Sequence, residues 1–237
     1  MSDIEAIHEA LQRVAAAGLN VQAVMHSRRV THVLEGLDVA SWPTLLLFGS
    51  TGSALWDALT AANWLERPDP VDSWCGTRLA SLRDSLPCRG VFVFPSRAPV
   101  DVVALGRAAG WAHPTPLGLG MHPEHGLWVG YRGALLLDTS LPERGVIAAP
   151  SPCEECRDTP CVTECLGQAV EPGGLLIDTC FTQRLAPSPC ATRCASRLAC
   201  PVGAEHRYSD PQIAHHQASG NRLYRAHVAS GGLPITR

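Results

Sequence analysis

The chain has 237 residues, of which 46% are apolar and only 17% are charged, against about 25% charged residues in an average globular protein. Its formal net charge is -3, and all of its basic residues are arginines, with no long run of them that would mark a phosphate-binding surface. These values exclude a disordered or fibrous chain and predict that nucleic acids are not partners.

No apolar stretch reaches the roughly 20 residues that a membrane helix needs. The first residues, MSDIEAIHEA, lack the cationic and apolar regions of a secretion signal. We therefore expect a cytoplasmic protein that has no membrane partner.

Residues 1–141 show the periodicities of an α+β domain. An amphipathic helix with a capping box is predicted at the start, from Ser2, Ile4, Glu5, Ile7, Leu11 and Val14. Residues 44–48 predict a strand that is buried on both faces, and residues 91–94 a second buried strand. Helical periodicity covers three further segments, 53–65, 73–86 and 99–110. Residues 127–137, with Gly130 at their centre, predict either a strand pair or one bent strand.

The composition changes at Pro142. From there to Pro201 the helical and strand periodicities nearly vanish, while Cys, Pro and Gly become more frequent. This pattern is typical of a small module that folds around metal. We therefore predict three parts: a first domain over 1–141, a metal-binding module over 142–203, and a tail over 204–237 that packs back on the first domain.

Cysteines are concentrated in the predicted module. Two of the ten, Cys75 and Cys88, stand alone and receive no role. In a cytoplasmic chain thiols stay reduced, so such a concentration indicates metal binding rather than disulfides. The eight candidate ligands are Cys153, Cys156, Cys161, Cys165, Cys180, Cys190, Cys194 and Cys200.

The first four of these cysteines follow the pattern Cys-x2-Cys-x4-Cys-x3-Cys, which resembles a bacterial-type ferredoxin domain. The last four are spaced more widely, and Leu166 stands where the ferredoxin pattern has a proline. In two-cluster ferredoxins the fourth cysteine of each run binds the other cluster. The resemblance therefore implies two 4Fe-4S clusters, one held by Cys153, Cys156, Cys161 and Cys200, the other by Cys165, Cys180, Cys190 and Cys194.

Zinc is the alternative, because it also binds four thiolates. Its usual signature has two Cys-x2-Cys pairs, and this chain has one. Eight cysteines and a terminal Cys200-Pro201 favour two iron–sulfur clusters.

Residues 121–137, with the sequence MHPEHGLWVGYRGALLL, resemble the His-Pro-x-x-Gly-x-Trp-x-x-x-Arg-Gly-x-x-Leu-Leu segment of the MMACHC (CblC) cobalamin-processing family. Residues 69–72 and 207–212 are similar to flanking segments of that family, in the same order. The resemblance implies a nitroreductase-like antiparallel sheet with packed helices. Epoxyqueuosine reductases and reductive dehalogenases also join a domain of this type to a following two-cluster module.

The same resemblance implies a cobalamin (corrinoid) site. The positions that match the family motifs, and that are implied to lie beside the corrin, are His122, Pro123, Gly126, Trp128, Arg132, Gly133 and Tyr208. His122 stays open as a polar contact, a neighbour of cobalt or a turn residue. No catalytic side chain is predicted.

Together the two resemblances imply an oxidoreductase of the cyanocobalamin reductase type. Its clusters would pass single electrons to cobalt and remove the upper cobalt ligand, with an electron-donor protein as a partner. One alternative is an enzyme like epoxyqueuosine reductase or a dehalogenase, which uses the corrinoid on an organic substrate. Another is a ferredoxin-like electron carrier or a cobalamin chaperone that performs no catalysis.

Overall fold

The computed structural model of the chain describes residues 2–95 and 100–231. Four longer strands form one sheet: β1 (Val21–His26), β2 (Thr44–Thr51), β3 (Gly90–Phe94) and β4 (Val129–Leu137). Two short strands, β5 (Val170–Glu171) and β6 (Gly174–Leu175), form a hairpin. The α-helices are α1 (Asp3–Ala16), α2 (Ala54–Ala61), α3 (Pro70–Ser85), α4 (Val102–Ala108), α5 (Pro160–Thr163), α6 (Ile177–Leu185), α7 (Ala195–Ala199) and α8 (Asp210–Ala229). Short 3-10 helices cover Ser27–Val30, Val39–Ser41, Pro152–Glu154, Pro189–Ala191 and Ala204–His206.

Contacts divide the chain into two compact units. The first comprises Met1–Ala112 and Val129–Ala149, and the second comprises His113–Trp128 and Pro150–Arg237. This division differs from the predicted domains in three places. Residues 113–128 and the tail group with the cysteines, whereas residues 142–149, predicted in the metal-binding module, group with the first unit. Tyr208 of the tail does contact Trp128, a residue that the prediction assigned to the first domain.

The sheet of the first unit is antiparallel, with the strand order β1-β2-β4-β3. Every residue of the central strand β2 is buried, which confirms the prediction of a strand buried on both faces. Its side chains alternate between two cores. Leu46 and Phe48 pack with helices α1, α2 and α3, whereas Leu45 and Leu47 pack on the opposite face with residues that include Leu105 of α4. This arrangement is an α+β fold.

A capping box marks the start of helix α1, and a β-bulge interrupts the long strand β4. The capping box of Ser2 and Glu5 is present, so α1 begins where the sequence predicts. Residues 129–137 form one strand rather than a strand pair, and the register of β2 and β4 shifts so that Arg132 is an extra residue in β4. Such a β-bulge bends a strand and redirects the side chain that it carries.

Two predicted elements differ from the structure, and one helix was not predicted. Strand β3 lies at the edge of the sheet and Val91 is 39% exposed, so the prediction of a second buried strand is wrong. The helix predicted over 99–110 spans Val102–Ala108, and residue 99 lies outside the described residues. The tail contains a 20-residue helix, α8, whose periodicity the sequence analysis did not assign.

Gly133 tests how closely α3 packs on the sheet. A Cβ atom at this position would overlap Cδ1 of Leu79, which is buried in α3. We expect Gly133→Ala to lower the free energy of unfolding by about 2 kcal/mol, because a filled core must shift to admit the methyl group. Gly76→Ala, also in α3 but with open space around it, is the control and should leave stability unchanged or raise it. Urea unfolding curves that are equally shifted for both variants would contradict this packing.

Candidate functional site

Four cysteines line one cavity of the second unit. They are Cys153, Cys156, Cys161 and Cys200, which is the first ligand set that the ferredoxin resemblance implies. The cavity has a volume of about 30 Å³. Its remaining lining is proline and aliphatic side chains, with Thr115 as the only polar residue among them.

The other four cysteines line a second cavity of about 290 Å³ in the same unit. They are Cys165, Cys180, Cys190 and Cys194. The lining here is more polar than in the first cavity, since it includes Gln183, Arg184, Arg193, Arg197, His216 and Gln217. The structure thus brings together both sets of cysteines that the sequence grouped.

Two short helices, α5 and α7, connect cysteines of the first cavity to cysteines of the second. Helix α5 contains Cys161 of the first cavity and ends two residues before Cys165 of the second. Helix α7 is preceded by Cys194 of the second cavity and followed by Cys200 of the first. The two helices pack on each other. Each of the two helices therefore lies between a cysteine of one cavity and a cysteine of the other.

The cysteines of each set are close enough to affect one another. Burial raises the pKa of the Cys153 thiol, and the neighbouring Cys200, Cys161 and Cys156 raise it further. Burial likewise raises the pKa of Cys180, with a further increase from Cys194, Cys165 and Cys190 of its own set. Four thiolates this close repel one another, so each set needs a cationic group at its centre when deprotonated.

Cys165 differs from the others. Burial raises the pKa of its thiol, but hydrogen bonds from the Ala169 backbone N–H and the Ser196 hydroxyl outweigh this effect, and the net pKa is lowered. The Ala169 nitrogen lies 3.3 Å from the Cys165 sulfur. Hydrogen bonds to sulfur stabilise a thiolate ligand.

The spacing of the cysteine side chains can be compared with the needs of one metal ion and of a cluster. Within residues 2–95 and 100–231, no group of three or more His, Cys, Asp or Glu side chains is close enough to hold one ion. A zinc site needs four sulfurs about 2.3 Å from one atom. In a 4Fe-4S cluster each cysteine binds a different iron, so its four sulfurs surround a larger space. Cysteines that line a cavity fit the second arrangement.

His122 and Gly126 close a tight turn in the second unit. Their backbones exchange two hydrogen bonds of 2.9 Å, and His122 Nδ1 accepts from the backbone N–H groups of Glu124 and His125 at 3.1 Å. Gly126 has a φ of 60°, and a Cβ there would overlap the carbonyl of Val202, two residues after Cys200. The turn therefore packs directly on the segment that follows the last cysteine.

Trp128 and Tyr208 pack around an arginine. Trp128 has no exposed surface, and its ring centroid lies 5.3 Å from that of Tyr208. The guanidinium carbon of Arg197 lies 4.3 Å from the Trp128 centroid and 5.0 Å from the Tyr208 centroid. Arg197 also donates to the Leu127 carbonyl at 2.7 Å, and burial lowers the pKa of its guanidinium. Sequence reasoning missed Arg197, whose only signal is its position in α7 between two cysteines.

The seven candidate corrin residues are divided between the two units. His122, Pro123, Gly126, Trp128 and Tyr208 belong to the second unit, whereas Arg132 and Gly133 belong to β4 of the first. Arg132 lies in the β-bulge, and its Nε donates to the Ser50 hydroxyl at 2.8 Å. Contact of any of these residues with a corrinoid remains a prediction.

No protein-family model matches the sequence, and no curated protein matches it. Solved structures do share its fold. An epoxyqueuosine reductase from Bacillus subtilis is 13% identical and aligns with a TM-score of 0.54, over 90% of this chain and 69% of its own. An epoxyqueuosine reductase with an epoxyqueuosine-modified tRNA-Tyr stem loop aligns with a TM-score of 0.53 at 13% identity, over 90% and 69%. The C. elegans B12-trafficking protein CblC, a homologue of human MMACHC, is 17% identical with a TM-score of 0.54, over 92% of both chains.

The chain has the fold of these proteins. CblC, whose family the sequence of the first domain resembles, and epoxyqueuosine reductase, which the domain order resembles, are both among its structural neighbours. No helix within the described part of the chain is long and apolar enough to cross a bilayer.

His122 predicts a pH dependence of stability. It is 1% exposed, and burial, followed by repulsion from His125, His206 and His113, lowers its pKa to about 4. Its pKa in the unfolded chain is about 6.5, so the unfolded state binds more protons between pH 6.5 and 4. Stability should therefore fall as the pH decreases through this window, by at most about 3 kcal/mol from this residue.

Anaerobic urea unfolding at pH 7, 6 and 5 checks this prediction. We expect a flatter pH dependence for His122→Gln than for the unsubstituted protein. The exposed His32, in the first unit, supplies the control, and His32→Gln should keep the original slope. Identical slopes for all three proteins would show that His122 does not remain neutral in the folded state.

Proposed function

We propose that the chain is an oxidoreductase with two 4Fe-4S clusters that reduces a bound corrinoid and releases its upper ligand. The observation that carries this proposal is the pair of cavities, each lined by four cysteines in the crossed sets expected for two clusters. The fold shared with a B12-trafficking protein and with epoxyqueuosine reductases supports a cobalamin-related function.

The residues present fit the clusters in number, type and position. Cys153, Cys156, Cys161 and Cys200 would hold one cluster, and Cys165, Cys180, Cys190 and Cys194 the other. When bound, such clusters accept and donate single electrons at low potential. Proline and aliphatic side chains surround the first set, which would reduce the access of water and oxidants to a bound cluster.

Arg197 connects the second cavity to residues that the family motif implies lie beside the corrin. It lines that cavity and packs against both Trp128 and Tyr208 within the same unit. An electron donated by a cluster that the second set of cysteines held would therefore have Arg197 and the two rings packed on it beside its path. Such close packing is what electron transfer requires of the intervening protein.

For cyanocobalamin the proposed reaction balances with one electron. A low-potential one-electron donor protein is oxidised, Co(III) becomes Co(II), and cyanide leaves with the electron pair of the broken bond.

Arg132, directed out of the regular strand by its bulge, would donate hydrogen bonds to an amide or phosphate oxygen of the corrinoid. His122 holds its turn through Nδ1, which favours a positioning role over direct contact with cobalt.

Removal of one ligand should cost one cluster. We expect Cys156→Ala, purified without oxygen, to contain about half the iron and acid-labile sulfide of the unsubstituted protein and to lose part of the broad visible absorption. The matched control is Cys88→Ala, because Cys88 is a half-buried cysteine outside both sets. Equal iron content in the two variants would contradict the assignment of Cys156 as a ligand.

Corrinoid reduction can be followed directly. Anaerobic protein mixed with cyanocobalamin and a low-potential reductant should produce the visible spectrum of reduced cobalamin without its nucleotide base on cobalt, and should convert many equivalents. Arg132→Gln should bind the corrinoid about tenfold more weakly, since it loses a charged hydrogen bond worth about 1.5 kcal/mol. A reaction that stops after one electron per cluster would indicate a carrier or chaperone, and failure to bind any corrinoid would contradict the proposal.

A second candidate is an enzyme that resembles epoxyqueuosine reductase and acts on tRNA. The structural neighbours with that activity favour it, and one of them is bound to a tRNA stem loop. The net charge of -3 argues against it, because tRNA binding depends on clustered basic residues. Retention of tRNA in a filter-binding assay at moderate salt would favour this candidate over corrinoid processing.

A further inference from the structure

The charges around the two sets of cysteines have opposite signs. Residues 151–165 contain four carboxylates and one arginine, which gives a net charge of -3. Residues 180–200 contain three arginines and no carboxylate, which gives +3. The charged side chains of the first segment are exposed, so water and salt screen them strongly. In the second segment the side chains of Arg184 and Arg197 are at least half-buried. Their charges interact more strongly with nearby groups, because the surrounding dielectric constant is lower than that of water.

Arg184 is directed at the second set. Its guanidinium forms a hydrogen bond with Cys180 and interacts electrostatically with Cys180, Cys194 and Cys190. The first cavity also has an arginine nearby, Arg207, but this side chain is exposed and donates to the Cys200 carbonyl rather than to a sulfur. The second set is therefore the one with a buried cation on its sulfur atoms.

Helix α8 holds Arg184 in this position. Arg184 Nη2 donates to the Gln217 carbonyl at 3.1 Å, and Asn221 Nδ2 donates to the Arg184 carbonyl at 3.3 Å. A Cβ at Gly220 would lie 2.8 Å from Arg184 Nη2, so the guanidinium occupies space that any larger residue would fill. Glycine inside a helix costs about 1 kcal/mol relative to alanine. The close approach of the Arg184 guanidinium explains why a glycine, rather than a larger residue, stands at position 220 inside the helix.

We propose that the two clusters differ in reduction potential and that Arg184 makes the cluster of Cys165, Cys180, Cys190 and Cys194 the more readily reduced. This inference rests on the proposed function, because it requires both clusters to be present. Reduction adds one negative charge to a cluster, and a buried cation with a hydrogen bond to sulfur stabilises that charge. The exposed carboxylates near the other cluster would oppose the same change only weakly, because water and salt screen them.

The order of electron transfer follows from this difference. A cluster held by Cys165, Cys180, Cys190 and Cys194 would take the electron that a low-potential one-electron donor loses, before that electron passes to the corrinoid. Transfer of an electron from a cluster held by the first set of cysteines to one held by the second set would have a favourable change in free energy. The second cavity is also the one that Arg197 connects to Trp128 and Tyr208. Arg184 would thus act through the cluster, by stabilising the negative charge that reduction adds, and it need not touch the substrate.

A potentiometric titration followed by electron paramagnetic resonance tests the inference. The unsubstituted protein should show two one-electron steps. Arg184→Gln should shift only the higher step to lower potential, with at least a tenfold change in its equilibrium constant, or about 59 mV. Arg184→Lys should recover part of the shift, and Arg193→Gln is the control, because Arg193 lines the same cavity but is exposed.

Two further variants assign the steps. Gly220→Ala keeps the charge of Arg184 but displaces its guanidinium, so it should shift the higher step in the same direction. Cys156→Ala should lose the lower step and retain the higher one. Two steps that do not respond to Arg184→Gln or Gly220→Ala, or a higher step that disappears in Cys156→Ala, would overturn the inference while leaving two clusters in place. Protein that contains no iron and no acid-labile sulfide would overturn the proposed function instead.

Discussion

The crossed connection of α5 and α7 is the constraint on which the second unit depends. Each helix is only four or five residues long and joins a cysteine of one cavity to a cysteine of the other. Helices this short are not stable by themselves. The apolar clusters around them are also small, with Leu117, Met121 and Leu127 among their few buried members. Binding at both cavities would therefore fix the two helices against each other, and folding of this unit would be coupled to cluster binding.

The first unit could be predicted better than the second for a physical reason. Strand β2 is a continuous apolar run and the capping box of α1 involves residues three apart, so both signals are local in sequence. The edge position of β3 depends on which strands pair, and its apolar residues resemble those of a central strand. Local patterns contain no information on pairing partners, and Val91 was therefore predicted to be buried.

The two sets of cysteines that line the cavities were predictable from the ferredoxin-like order of the cysteines along the chain. The residues between the cysteines were not. Arg184 and Arg197 look like ordinary charged residues in the sequence, and only the packing of α8, Trp128 and Tyr208 around them reveals their burial. Likewise, the sequence placed residues 113–128 with the preceding domain, since their contacts with Val202 and Cys200 span about 80 residues of chain. A chain whose basic residues are all arginine suits these positions, because the planar guanidinium stays charged when buried and stacks on rings.

We propose that each set of four cysteines surrounds a four-iron cluster. The most direct test is analysis of iron, zinc and acid-labile sulfide in the unsubstituted protein, purified and kept without oxygen. Two clusters predict about eight iron atoms and eight sulfides per chain, with little zinc. Zinc at one or two atoms per chain, without sulfide, would contradict the account and would also remove the electron source from the proposed reaction.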